Sequence, residues 1–323
     1  MRPDEIWEGT GPAETAVRIA LTPLSWLYAF GWQAYLAAYR IGFKKSKEPH
    51  RPVICVGNLV TGGSGKSPVT LALAQVLSSM GKQVVIGCSG YGAPHSADAE
   101  IAPEGPLNAS LWGDEPAMFR WLLPDVPLVV GRNRVLAAQV VHERFPNAVL
   151  LMDDGFQHLP LKKQGTLILD EPTQNTMCMP AGPYREPRGN RRRADRRIPD
   201  DFQIDRRSLR FVNPDGDEVK PSSYSVLCAL GQPRRFLSEV ADQLPNAARE
   251  PATSLLPDHD RLDALDLFKQ LPPGVPIVVT AKDWVKLKDR GDVNEHEIVI
   301  ALQNVKVEPL ERLKSWLESV CNE

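Results

Sequence analysis

The sequence predicts an α/β fold: a mostly parallel sheet covered by helices, a second, smaller α/β lobe, and a hydrophobic helix ahead of both. Three observations predict it. Near-continuous apolar runs of strand length alternate with helix-length segments from about residue 51 to 172, as strands buried on both faces do. A second alternation begins near residue 224, beyond a stretch rich in proline, arginine and aspartate. From Ile19 to Tyr39 no residue carries a formal charge. The expected division is residues 1–45 for the helix, 46–215 for the core and 216–323 for the second lobe.

The N-terminal segment IALTPLSWLYAFGWQAYLAAY would span about 31 Å as a helix, the depth of a bilayer core. It contains Pro23, Gly31 and Gln33, and its Trp and Tyr residues favour the headgroup level. A single span, an interfacial helix and a helix packed on the domain all fit. RIGFKKSK follows and suits anionic lipid. RPVICVGNL then reads as a buried strand, KSPVTLALAQVLSSMG as a helix, and KQVVIGCSGYG as a strand entering a glycine turn. EPAMFRWLLPD and RVLAAQVVHERFPN read as helices, and VPLVVGRN, AVLLMDDG and GTLILDEP as strands. Residues 172–223 read as a long loop with a short irregular region. In the second lobe YSVLCALGQPRRF opens the α/β signals. RLDALDLFKQL reads as a helix, VPIVVTAKD and EIVIALQNVKV as strands, and PLERLKSWLESV as the final helix.

Composition narrows the class. A net charge of -2 gives no reason to expect nucleic acid. Five scattered cysteines without a C-x-x-C pair fit a reducing compartment.

The segment GNLVTGGSGKSPV lies between a predicted strand and a predicted helix, the setting a phosphate loop requires. Gly62, Gly63 and Gly65 allow backbone N–H groups to turn toward phosphate oxygens. Lys66 suits β- and γ-phosphates, Ser67 suits a magnesium ion, and Pro68 is tolerated in the first helical turn. The glycine usual six residues before the lysine is replaced by Val60. Asp153 and Asp154 follow the apolar run 148–152, where a magnesium-side acid belongs. Asp114 and Glu115 in WGDEP are either helix-capping acids or include a general base. His259 alone could be an ordinary loop histidine. Seven arginines between Arg185 and Arg197 form either a solvated basic face or a phosphate-binding one.

In order, VGNLVTGGSGKSP, GYG, GDEP, GRNR, DDGFQH, PAGPYREP, PDH and TAKD resemble the tetraacyldisaccharide 4'-kinase family, from about residue 15 to the end. GGSGKSP alone is shared widely; DDGFQH with PAGPYREP is specific. The resemblance implies a two-lobed P-loop NTPase-like fold with a membrane-associating N-terminal helix. It implies Mg2+-dependent transfer of the γ-phosphate of ATP to the 4'-hydroxyl of a tetraacyldisaccharide 1-phosphate, giving lipid IVA on the cytoplasmic side of the bacterial inner membrane. By motif, Thr61, Gly62, Gly63, Ser64, Gly65, Lys66 and Ser67 hold ATP. Ser67, Asp153 and Asp154 hold the metal, and Asp114 with His259 forms the base pair. Tyr91, Glu115, Arg134, Gln157, His158, Arg185 and Glu186 face the substrates. The family's loop also lacks the glycine at Val60. Departures are Ser89 for arginine, Ala281 for glutamate and Asp260 for histidine. Two other readings stand beside the kinase. TAKD resembles a guanine-reading motif, so a membrane-associated GTPase switch is one; a non-catalytic adaptor is the other.

Overall fold

The structure is a computed structural model that describes residues 3–63, 65–231, 233–245, 251–257 and 260–322. The first elements are α1 (Pro3–Glu8), α2 (Pro12–Arg40), β1 (Val53–Asn58), α3 (Lys66–Ser79), β2 (Gln83–Cys88) and β3 (Glu100–Ile101). Then come α4 (Ala109–Trp112), α5 (Asp114–Leu122), β4 (Leu128–Val130), α6 (Arg134–Arg144), β5 (Ala148–Asp153), β6 (Gly165–Leu169) and β7 (Arg196–Ile198). The remainder are β8 (Gln203–Val212), β9 (Ser225–Ala229), α7 (Pro233–Gln243), β10 (Thr253–Leu256), β11 (Ile277–Thr280), α8 (Ala281–Leu287), β12 (Ile298–Glu308) and α9 (Leu310–Cys321).

Two sheets form. The first runs β3-β4-β2-β5-β1-β6-β7, parallel throughout except for β3. Strand alternation explains why both faces are apolar. Ile54 and Val56 of β1 enter one core with Leu73 and Leu77 of α3. Val53 and Cys55 enter the other with Ala137 and Val141 of α6. The second sheet runs β10-β9-β11-β12-β8, with only β8 antiparallel. The first core is continuous with this sheet through Leu227, Val279 and Ile300. The C-terminal helix α9 closes it: Val320 and Trp316 crowd Gly165 of β6, where an added Cβ would meet them at 3.0–3.1 Å.

Three elements differ from the sequence reading. Residues 172–223 are not all irregular: β7 lies within them, and so does β8, which pairs with β12 from Gln203 to Val212. The cut at 215 therefore falls after a strand of the second sheet. Its charged sequence, QIDRRSLRFV, suits an exposed sheet edge and hides the alternation. RLDALDLFKQL is a chain of turns, not a helix. Leu262 takes a left-handed φ of 56°, and Arg290 binds the carbonyls of Leu262 and Ala264. TAKD does not extend a strand. Thr280 caps α8 by accepting the Asp283 N–H.

No helix among the described residues is long and apolar enough to cross a membrane, which removes the single-span reading of α2. One side of α2 is docked. Ser25 Oγ accepts from the Ala181 N–H at 2.8 Å, and Tyr28 donates to the Arg185 carbonyl at 2.7 Å. The other side presents Trp26 (67% exposed), Leu27 and Phe30 (70%) to solvent.

Candidate active site

The site lies at the carboxyl ends of the first sheet's parallel strands, where the loops after β1, β2 and β5 converge. The loop after β1 turns through Gly62 (φ 93°) and Gly65 (φ 79°), a left-handed region that glycine enters without strain. Thr61 N–H donates to Pro183 O and ties the loop to the 181–186 segment. Lys66 and Ser67 open α3, whose free N–H groups favour anions. Ser64 lies outside the described residues.

Asp153 ends β5 and is 1% exposed. It accepts from Ser67 Oγ at 3.1 Å and from Thr70 Oγ1 at 2.8 Å. Burial, reinforced by Glu115, pushes its carboxyl up to about 7, against the pull of Lys66 and the Thr70 hydrogen bond. A carboxylate held in that way suits a divalent cation. Among the described residues no three His, Cys, Asp or Glu side chains gather as a metal cage. Ser67 and Asp153 instead fit the sparse protein ligation typical of Mg2+ on phosphates.

Asp154 has a different role. It adopts a left-handed φ of 52°. Its carboxylate sits 3.6 Å from Lys66 Nζ and accepts both 2.9 and 3.0 Å bonds from Arg185 Nη1. Burial works against its ionisation, but Lys66 and Arg185 outweigh it and hold the carboxyl below the usual range. Arg134 opens α6 and donates to the Asp153 carbonyl at 2.9 Å. Its Nη1 is buried with no hydrogen-bond partner, a donor suited to a phosphate oxygen.

Asp114 begins α5. Gly113 before it has φ 97° and ψ 158°, and a Cβ there would stand 3.0 Å from Gly90 Cα. The GYG turn and the GDEP turn therefore pack backbone to backbone and aim Asp114 at the cleft. The ammonium of Lys286, from α8, lies 3.6 Å from Asp114 Oδ2. His259 lies outside the described residues.

A cleft of about 840 Å³ joins the phosphate loop, Asp154, Arg185 and Asp114. From the first sheet it is lined by Gly62, Gly63, Gly65, Lys66, Ser67, Tyr91, Asp114, Glu115, Asp154 and Arg185. Tyr91 is 79% exposed there. The second lobe adds residues that sequence reasoning missed, among them Arg206 and Arg210 of β8, Arg235 of α7 and Gln303 of β12. The basic character of β8 was visible, but not that the strand faces the loop.

Four expected substrate contacts are absent from that lining: Arg134, described above, Gln157, His158 and Glu186. Glu186 is 0% exposed and is bound by Arg193, Asn190 and Gln157. Gln157 also donates to Asn58 O. These two brace the floor of the site instead of facing the cleft. His158 is partly buried and does not line the cleft. Burial first, then Lys163 and Arg134, push its imidazole down to about 4.

The chain has relatives among known proteins. A family model for tetraacyldisaccharide-1-P 4'-kinase matches residues 17–322. The chain belongs to the tetraacyldisaccharide-1-P 4'-kinase family. It is accordingly a kinase. A tetraacyldisaccharide 4'-kinase of Shewanella woodyi is 32% identical over 291 residues, covering 86% of this chain and 83% of that protein. One from Delftia acidovorans is 34% identical over 299 residues, covering 87% and 85%. A crystal structure of the family member LpxK from Aquifex aeolicus, an apo form in complex with ATP, superposes with a TM-score of 0.78 at 27% identity, covering 94% of this chain and 99% of that one. The fold predicted for the family, two α/β lobes with a helix ahead of them, is the fold found.

Proposed function

We propose that this kinase transfers the γ-phosphate of ATP to the 4'-hydroxyl of a tetraacyldisaccharide 1-phosphate, giving lipid IVA and ADP, on the cytoplasmic side of the inner membrane. The observation that carries the reading is one cleft lined by a phosphate loop and by Asp114, with Ser67 of that loop bonded to the buried Asp153 behind it. Lys66 and the start of α3 supply positive charge to the β- and γ-phosphates. Arg185, oriented by Asp154, and the unpaired Nη1 of Arg134 supply more. Ser67 and Asp153 would hold Mg2+, which neutralises phosphate charge when bound. Asp114 takes the proton of the acceptor hydroxyl. That oxygen forms its bond to phosphorus as the bond to the ADP oxygen breaks.

His259, which lies outside the described residues, is assigned as the partner of Asp114 by the PDH motif. Lys286, which faces Asp114, donates at 2.8 Å to the carbonyl of Asp260, the next residue in the chain. The GTPase alternative is disfavoured by Asp283, the acid that would read guanine. It is 0% exposed, and its carboxylate accepts from Thr280 Oγ1 and the Ala229 N–H. The exposed face of α2 suits a helix lying in a lipid interface.

The test is transfer of labelled γ-phosphate from ATP to tetraacyldisaccharide 1-phosphate in mixed micelles, with Asp114→Ala as the comparison. A magnesium-dependent bis-phosphorylated lipid that falls by about 10²-fold or more in the variant is expected. Undiminished product would remove Asp114 from the mechanism. Absence of lipid product with nucleotide still bound would end the kinase assignment to this acceptor.

A further inference from the structure

Lys286 is a lysine whose side chain is only 5% exposed. An ammonium in that position needs partners, because burial strips its water. It has three within reach, drawn from both lobes. It donates to the Asp260 carbonyl at 2.8 Å, and Asp283 Oδ1 and Asp114 Oδ2 each lie at 3.6 Å. Asp283 is anchored in turn by the Ala229 N–H of β9 and the Thr280 hydroxyl at the cap of α8. Burial raises its carboxyl, with Lys286 the leading opposing influence. The ammonium is thus fixed from within the second lobe and extends to a carboxylate of the first.

We propose that Lys286 is a positioning residue for phosphoryl transfer: held by Asp283 and the Asp260 carbonyl, it fixes the carboxylate of Asp114 in the cleft. This rests on the reading of Asp114 as the base. The contact also makes the base depend on how the two lobes meet, since α5 carries Asp114 and α8 carries Lys286. A lysine acting in this way contributes to turnover through Asp114 and little to the binding of ATP.

The experiment is a cycle of Lys286→Met, Asp114→Asn and the double variant, assayed with tetraacyldisaccharide 1-phosphate in mixed micelles. It records kcat, KM for ATP and thermal melting. Lys286→Met is expected to lower kcat by about tenfold or more, with KM for ATP within about threefold. Added to Asp114→Asn, it should lower kcat by less than about twofold, because the group it acts through is already changed. Parent-like kcat in Lys286→Met overturns the proposal. So does an equal fold loss in both backgrounds, which would mark a structural role independent of Asp114. If Lys286→Met does not melt cooperatively, Lys286→Arg replaces it; the charge is kept and the donors are moved. A fall in kcat at constant KM supports the proposal, and parent-like kcat overturns it. Parent-like kcat in Asp114→Asn removes the base itself, an outcome separate from failure at Lys286 alone.

Discussion

At the scale of single residues, adjacent side chains with the same chemistry have been given different tasks. Asp153 is held by two hydroxyls and raised by burial, whereas Asp154 is held by two cations and lowered. The sequence made the pair legible as a site, because two acids ending a buried strand need partners. It did not separate their roles, because Arg185 is 31 residues away from Asp154 in the chain. We predict that Asp153→Asn raises the magnesium concentration needed for half-maximal turnover by about tenfold or more while the chain still folds. An unchanged magnesium requirement would exclude Asp153 as a ligand. His158 provides a pH test. The folded state keeps it neutral down to about 4, whereas the unfolded chain takes the proton near 6.5. Between those values the unfolded state binds more protons, so stability falls as pH drops from about 6.5 toward 4. His158→Gln should reduce the slope of stability against pH over that window, as read from melting at a series of pH values. Equal slopes in parent and variant would show that the histidine is not protected by the fold.

At the scale of elements, what was local was legible. A strand, three glycines, Lys-Ser and a helix are contiguous, so the loop around Lys66 could be read without tertiary information. β8 was not legible, since its edge position permits a charged sequence. The leucines of 261–271 suggested a helix, but the grip of Arg290 on two of the segment's carbonyls outweighs that pattern. The glycines of GYG and GDEP were visible; their mutual contact was not. That contact yields a prediction. Gly113→Ala places a side chain in a backbone region open almost only to glycine, 3.0 Å from Gly90 Cα. It should cost about 1–3 kcal/mol of stability and displace Asp114, so that kcat falls as well. Gly189→Ala, where a Cβ meets nothing within 4 Å, should stay within about 0.5 kcal/mol. Chemical denaturation of both proteins checks this, and equal midpoints would refute it.

At the scale of the whole molecule, the site is shared between the two sheets and the helix ahead of them. Arg206 of β8 shows the first kind of sharing. It pairs with Glu171 at 2.8 Å, and its Nη2 lies 3.2 Å from where a Cβ on Gly65 would stand. We predict that Arg206→Gln raises KM for ATP by about tenfold, the loss of one charge-assisted contact; an unchanged KM would make the residue purely structural. The helix α2 shows the second kind. Its docked side touches Ala181 and the Arg185 carbonyl, next to the guanidinium that serves Asp154. Removing residues 1–40 would therefore disturb catalysis together with the proposed lipid contact. Changing only the outer face separates them. Trp26, Leu27 and Phe30 point to solvent, so serine at all three should leave melting and turnover in detergent micelles within about threefold of the parent. Each of these side chains is worth about 1.5–3 kcal/mol when buried in an apolar phase. The triple variant should accordingly lose flotation with anionic vesicles and lose about tenfold or more turnover on substrate held in them. Retained flotation would mean that the basic stretch Arg40–Lys47 holds the surface by charge alone, and the same assay at high salt would then release the protein.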